Sequence, residues 1–199
     1  SGLEFMTKII VDGERDFAGI RLEEGFDLSG DKDYRAFQKY LKKQKDLKQN
    51  PYHFSKASLY GLKAGEIYLP YLMAHDADFT HADLQKAKLV SADFTNATFK
   101  AANLMKATLV TSIYRGVDFT GANLLEAHFY GSDLQGCDLH AAYLNGAWLD
   151  YVDLRKVKNL DKALNLEGIH LKETKISPKD SCVFIAKTGL FNFEKEVSN

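Results

Sequence analysis

Large apolar residues recur along the chain at every fifth position, a step that matches neither the 3.6-residue turn of an α-helix nor the two-residue pleat of a strand. From Phe79 to Leu154 the run is unbroken over sixteen centres, among them Phe79, Leu84, Phe94, Phe99, Tyr114, Phe119, Phe129 and Leu149. Two positions before each centre stands a small or medium residue, such as Ala77, Ala92, Ser112, Val117, Cys137 or Val152. Between the two comes a polar residue, usually Asp or Asn: Asp78, Asp83, Asp93, Asn103, Asp118, Asn123, Asp133, Asp138 and Asp153. A repeat this short cannot bury its apolar edge alone, whereas stacked coils bury a continuous column. The phase runs backwards through Phe54, Leu59, Ala64, Leu69 and Ala74. There Leu62 and Leu72 take the small position, an inversion expected to conserve inward volume. About five coils are expected over residues 52–156.

The unit A-D/N-L-x-x, seen in Ala82-Asp83-Leu84-Gln85-Lys86 and Ala122-Asn123-Leu124-Leu125-Glu126, resembles the pentapeptide-repeat family over residues 77–156. The resemblance implies an all-β fold, a right-handed quadrilateral β-helix with four repeats per coil. The centre and the small residue both point inward, and each residue stacks on the one 20 positions later. Folded at that interval, Phe79, Phe99 and Phe119 share one column, Phe94 and Tyr114 another, and Phe129 joins a third with Leu89, Leu109 and Leu149. Offset ring contacts add to plain burial in such columns.

An open β-helix end exposes unpaired backbone groups and requires a cap. Residues 1–5, ahead of Met6, read like a cloning remnant. Within the N-terminal segment 6–51, Tyr34, Phe37, Tyr40 and Leu41 at helical spacing predict an amphipathic α-helix over about 31–49, started by Ser29 or Asp31 and stopped before Pro51. Phe17, Ile20 and Leu22 suggest one rudimentary repeat before it. Residues 157–199 read as a degenerate final coil and a C-terminal capping or dimerisation tail. The phase breaks at Asn159 and resumes around Leu164–Leu166 and Ile169–Leu171 in shifted register. Cys182–Lys187 and Leu190–Phe193 then flank Thr188-Gly189 like a short hairpin. The tail's apolar side chains either cover the last coil or form a homodimer contact, an arrangement related proteins of the family use at their C-terminal ends.

Charge narrows the function. With 26 basic and 27 acidic residues the formal net charge is −1, so overall charge predicts neither nucleic-acid attraction nor polyanion mimicry. Between Asp76 and Asp153 ten carboxylates face five Lys and Arg. That excess falls short of a duplex, which carries a charge every ~1.7 Å. The comparison matters because some members of the family bind a DNA topoisomerase (gyrase) as acidic, duplex-sized rods. The Lys-rich face of the cap helix, with Lys39, Lys42 and Lys43, reads as a solvated surface, and direct nucleic-acid binding is not expected. The lack of an 18-residue apolar stretch argues against membrane insertion.

Chemistry is hard to find. Cys137 and Cys182 lie 45 positions apart, which favours reduced, inert thiols and a cytoplasmic location. His75 and His81 flank Asp76 and Asp78, a weak pattern for a metal site. No phosphate-binding glycine loop, nucleophile elbow or metalloprotease motif occurs. No enzyme activity, cofactor or metal is expected. One outward face does stand out. Val90, Val110 and Tyr130 fall in one outer ladder, His128 and Trp148 in another, with Tyr151 beside them. Clustered exposed aromatics on a rigid surface favour partner recognition. The expected function is a non-enzymatic interaction scaffold presenting flat β-helix faces to a protein partner; the alternative is the gyrase-binding DNA mimic.

Overall fold

The computed structural model describes residues 2–188, apart from the side chains of Phe184 and Thr188. Each repeat folds for a local reason. The centre residue opens a four-residue turn that the next small residue closes: the Ala97 amide donates to the Phe94 carbonyl at 2.9 Å. The residue between them, Asn96, has φ 58°, as the third position of a type II turn requires. Every fifth residue from Lys56 to Tyr151 shares this left-handed backbone, although most are not glycine. The conformation costs roughly 1–2 kcal/mol per residue. It aims the amide at the next coil, where Asn96 donates to the Arg115 carbonyl at 2.8 Å. The repeated Asp or Asn accepts from the amide two residues on, as in Thr80 to Asp78, Thr95 to Asp93 and His140 to Asp138. These carboxylates are turn fasteners.

Coils join through parallel bridges at an offset of 20 residues. Asp78, Asp83, Lys88 and Asp93 pair with Thr98, Asn103, Thr108 and Ile113, so four ladders run along a β-helical solenoid. Inside, the centres stack. Phe99 lies 4.7 Å from Phe79 and 5.5 Å from Phe119, Phe94 lies 5.4 Å from Tyr114, and Phe129 meets Tyr114 edge-on at 5.4 Å. All six are buried.

Bridges extend from Asp16 to Lys175, beyond both limits of the expected 52–156 body. At the N-terminal end Asp16, Arg21 and Asp27 pair with His53, Ser58 and Lys63, giving a coil with three sides. Helix α2, Tyr34–Lys43, replaces the fourth. The Gln38 side-chain Oε1 accepts the Tyr68 amide at 3.0 Å, its Nε2 donates to the Tyr34 hydroxyl, and that hydroxyl donates to the Gly65 carbonyl at 2.8 Å. Two side chains thus close the rung a missing strand would leave open. The helix is shorter than the expected 31–49. Asp31 spends its carboxylate on the Asp33 amide before the helix starts, and Arg15 gathers Gln44, Asp46 and the Asn50 carbonyl after it ends. Helix α1, Gly2–Ile10, completes the cap. Gly2–Phe5, set apart above as a remnant, form its first half, and Phe5 packs against Phe17 at 5.2 Å and Phe54 at 6.2 Å. An apolar cavity of about 40 Å³ remains beneath the cap, lined in part by Phe5, Phe37, Ala64 and Leu72.

The last coil slips register, as the phase break at Asn159 suggests. Asp138 pairs with Lys158, Tyr143 with Leu164, Trp148 with His170 and Asp153 with Lys175, so the offset grows from 20 to 22. Asn159, at φ 54°, and a 3-10 turn at Leu160–Lys162 absorb the first extra residue. The expected hairpin at Cys182–Lys187 is instead helix α3, Pro178–Thr188. The Ser177 hydroxyl accepts the Asp180 amide and bonds the Asp180 carboxylate, and Pro178 takes the first turn, a combination that starts helices. Lys187 Nζ donates to the Asp161 and Ala163 carbonyls, tying α3 to the final coil. Leu190–Phe193 lie outside the described residues. Among the described residues no helix is long and apolar enough to cross a membrane.

Candidate partner-binding surface

The outward aromatics follow from the ladders. Thr108, His128, Trp148 and His170 are consecutive rungs of one ladder, so their side chains sit directly above one another. The His128 and Trp148 rings stack at 5.3 Å with 16° between planes, and Trp148 and His170 stack at 3.7 Å with 10°. All three are exposed. Around the adjoining turn, Tyr130 and Tyr151 remain 49% and 46% exposed while their rings meet at 5.1 Å. Val90 and Val110 continue this edge towards the cap and are half-buried. Lys172 Nζ stands 5.9 Å from the Tyr151 ring centroid. The six residues singled out from sequence thus lie on one side and its edge. His170 was missed because two inserted residues displace it from the 20-residue step; only the His-flanked phase after Asn159 pointed to it. Exposed Tyr143 and Leu164 share the neighbouring ladder and widen the patch.

Beyond Tyr151 one rung is open. Among the described residues Asp133 and Asp153 form no bridge, although Ile113 with Asp133 and Asp153 with Lys175 do. Lys156 breaks the pattern of left-handed turn residues, and the Gly136 amide reaches the Lys156 carbonyl at 3.1 Å. A cleft results, lined by Gly131, Leu134, Tyr151 and Lys156. The Arg155 guanidinium grips Asp153 and holds its carboxyl below the usual range, while Arg115 pairs with Asp133.

Elsewhere charges cancel between coils. Lys86 pairs with Glu66, Lys100 with Asp118 and Lys106 with Glu126, at 3.1–3.4 Å. Cys137 is buried in an inward position, where desolvation pushes its thiol up and it donates to the Tyr114 carbonyl. Such a thiol is a poor nucleophile. Cys182 is exposed on α3. His75 Nε2 lies 3.0 Å from the Asp93 carboxylate rather than joining His81, and among the described residues no group of three or more metal-ligating side chains converges.

The pentapeptide-repeat family model matches residues 75–109 and 115–150 in eight copies. None of the curated proteins matches the chain significantly. Among solved structures it is similar to HetL, a pentapeptide repeat protein involved in heterocyst differentiation regulation from the cyanobacterium Nostoc sp. strain PCC 7120. The identity is 20%, over 86% of this chain and 91% of that one, with a TM-score of 0.42. It is similar to Rfr23, a pentapeptide repeat protein from the cyanobacterium Cyanothece 51142, at 18% identity over 89% and 100% of the two chains, TM-score 0.34. It is also similar to QnrB1, a plasmid-mediated fluoroquinolone resistance protein, at 14% identity over 90% and 94%, TM-score 0.32. Residues 75–109 and 115–150 therefore carry pentapeptide repeats, and these five-residue units close the four bridged ladders of the solenoid.

Proposed function

We propose that the chain is a non-enzymatic interaction scaffold, a right-handed four-sided rod that receives a protein partner on the surface formed by Val90, Val110, His128, Tyr130, Trp148 and Tyr151. The carrying observation is the concentration of exposed aromatics on one bridged side: Tyr130, Trp148 and Tyr151 are each more than a third exposed yet held in ring contact. Rigid aromatic anchors lose little entropy on binding and dominate interface energetics. The rung ion pairs favour this over duplex mimicry, because the lysines at Lys86, Lys100 and Lys106 each neutralise a carboxylate of the neighbouring coil. Buried Cys137 fits a binding role, and the thiols suit a reducing, cytoplasmic setting. A homodimer through the C-terminal tail is compatible with a free stripe.

The test immobilises the full chain and compares captured proteins across variants. Trp148→Ala with Tyr130→Ala should abolish a captured partner while Thr98→Ala, on the opposite side, retains it. Unchanged capture by the double variant, with unchanged stability, removes the proposal.

A further inference from the structure

Resting on that reading, the geometry points to the chemistry of the partner: we infer that the stripe binds an extended acidic peptide segment edge-on, more tightly as its two histidines protonate. His128, Trp148 and His170 stack along the ladder, so their planes lie across the rod axis and both faces of the indole are occupied. A ligand that needs a bare aromatic face, such as a proline-rich helix, finds both faces of the indole taken. Solvent instead meets ring edges, the electropositive rim of an aromatic quadrupole. Those edges carry the indole N–H, a donor only, and imidazole nitrogens that are all donors once protonated. Among the described residues none of the three side chains makes a hydrogen bond within the chain. The surface is a column of idle donors with a spacing of one rung, ~4.8 Å, and carboxylates of an extended chain are the matching acceptors.

The neighbouring charges leave the sign to the histidines. Glu126 is paired with Lys106, and Asp150 accepts the Lys172 amide at 2.7 Å. Exposed Lys88 and Lys172 face exposed Glu167 and Glu173 across the same side and its edges. Lys88 and Lys172 offset Glu167 and Glu173, Lys106 offsets Glu126, and Asp150 keeps its charge because a backbone amide does not neutralise it, so the fixed charges sum to −1 and protonation of both histidines takes the stripe to +1. Histidine is the side chain that changes charge in this pH range, whereas glutamates of a partner remain ionised to about pH 4.3.

Hexaglutamate is the probe, titrated against the full chain at pH 8.0 and pH 5.5 and read by the emission of Trp148, the single tryptophan. The affinity should rise on the order of tenfold at the lower pH. His128→Gln with His170→Gln should remove that rise, whereas Lys39→Gln with Lys42→Gln and Lys43→Gln on α2 should not. Hexaproline or hexaglutamine binding as well as hexaglutamate overturns the edge-on acidic reading while leaving a binding surface in place. No pH response, or one abolished by the α2 variant instead, also overturns it. Loss of protein capture in Trp148→Ala together with failure of hexaglutamate separates the wrong ligand class from the wrong surface.

Discussion

Replacing Phe99 by alanine tests the stacked interior directly. The side chain is 1% exposed and meets three other rings: Phe79 at 4.7 Å with planes 1° apart, Phe119 at 5.5 Å, and Phe94 edge-on at 5.2 Å. Truncating a buried phenylalanine costs about 3–5 kcal/mol through lost transfer energy and the cavity left behind. Aromatic contacts add roughly 0.5–1.5 kcal/mol per pair beyond area. The site cannot collapse easily, because bridged coils above and below fix the spacing of the column. The expected loss is therefore in the upper half of the range, about 4–5 kcal/mol. Phe99→Leu keeps an apolar centre but loses all three ring contacts, and should cost at least about 1.5 kcal/mol while remaining milder than alanine. Guanidinium unfolding followed by circular dichroism measures both, provided the slope m stays constant. An alanine variant that loses under about 2 kcal/mol refutes the burial argument, and a leucine variant that loses under about 0.5 kcal/mol refutes the claim that ring stacking stabilises the column.

Two further outcomes are specific. The Ser112 hydroxyl stands between the Ala92 amide and the Leu89 carbonyl, as the Ser132 hydroxyl does between the Ser112 amide and the Leu109 carbonyl, where most turns close directly, as Ser132 to Phe129 does. Ser112→Ala should let the turn close and cost below about 1 kcal/mol, although a buried hydroxyl with three partners, the third being the Val110 carbonyl, ordinarily costs more; a larger loss by the same unfolding assay contradicts this. Burial pushes the Tyr52 hydroxyl up to about 12 against the lowering effect of Arg15, and it has no hydrogen-bond partner. The unfolded chain ionises tyrosine near pH 10, so this contribution to stability is complete below about pH 10 and disappears as pH rises through about 12. Tyr52→Phe should match the parent at pH 8 and lose less stability than the parent between pH 10 and 12; identical slopes would contradict the assignment.

The solenoid is legible in the sequence because one residue type decides each inward position, and the period of five survives from Phe79 to Leu154 without interruption. What escapes is decided in three dimensions. Gln38 sits within the apolar stripe of α2, and nothing in its sequence context says that its amide substitutes for a strand against Tyr68. Val183 and Ile185 resemble a strand by composition, yet Ser177, Pro178 and Asp180 carry a helix-start signal that outweighs it. His170 falls outside the 20-residue step because the insertions near Asn159 and Asn165 shift the last coil. Of the candidate surface, Trp148 and Tyr130 are readable from repeat phase alone, whereas the stacking that turns their edges outward is not.

Helix α2 fills the missing side at Tyr68, and Tyr68 begins the ladder that continues through Lys88, Thr108 and His128 to Trp148. The cap and the aromatic stripe are therefore in phase, at opposite ends of one side. Inserting 20 residues between them would move them apart along the rod without changing their alignment. Inserting five would carry the stripe one ladder round and leave it facing away from the cap. The number of repeats, counted modulo four, thus sets the relative bearing of the two ends, so that natural length variants differing by less than a whole coil would present different faces to any ligand that spans both.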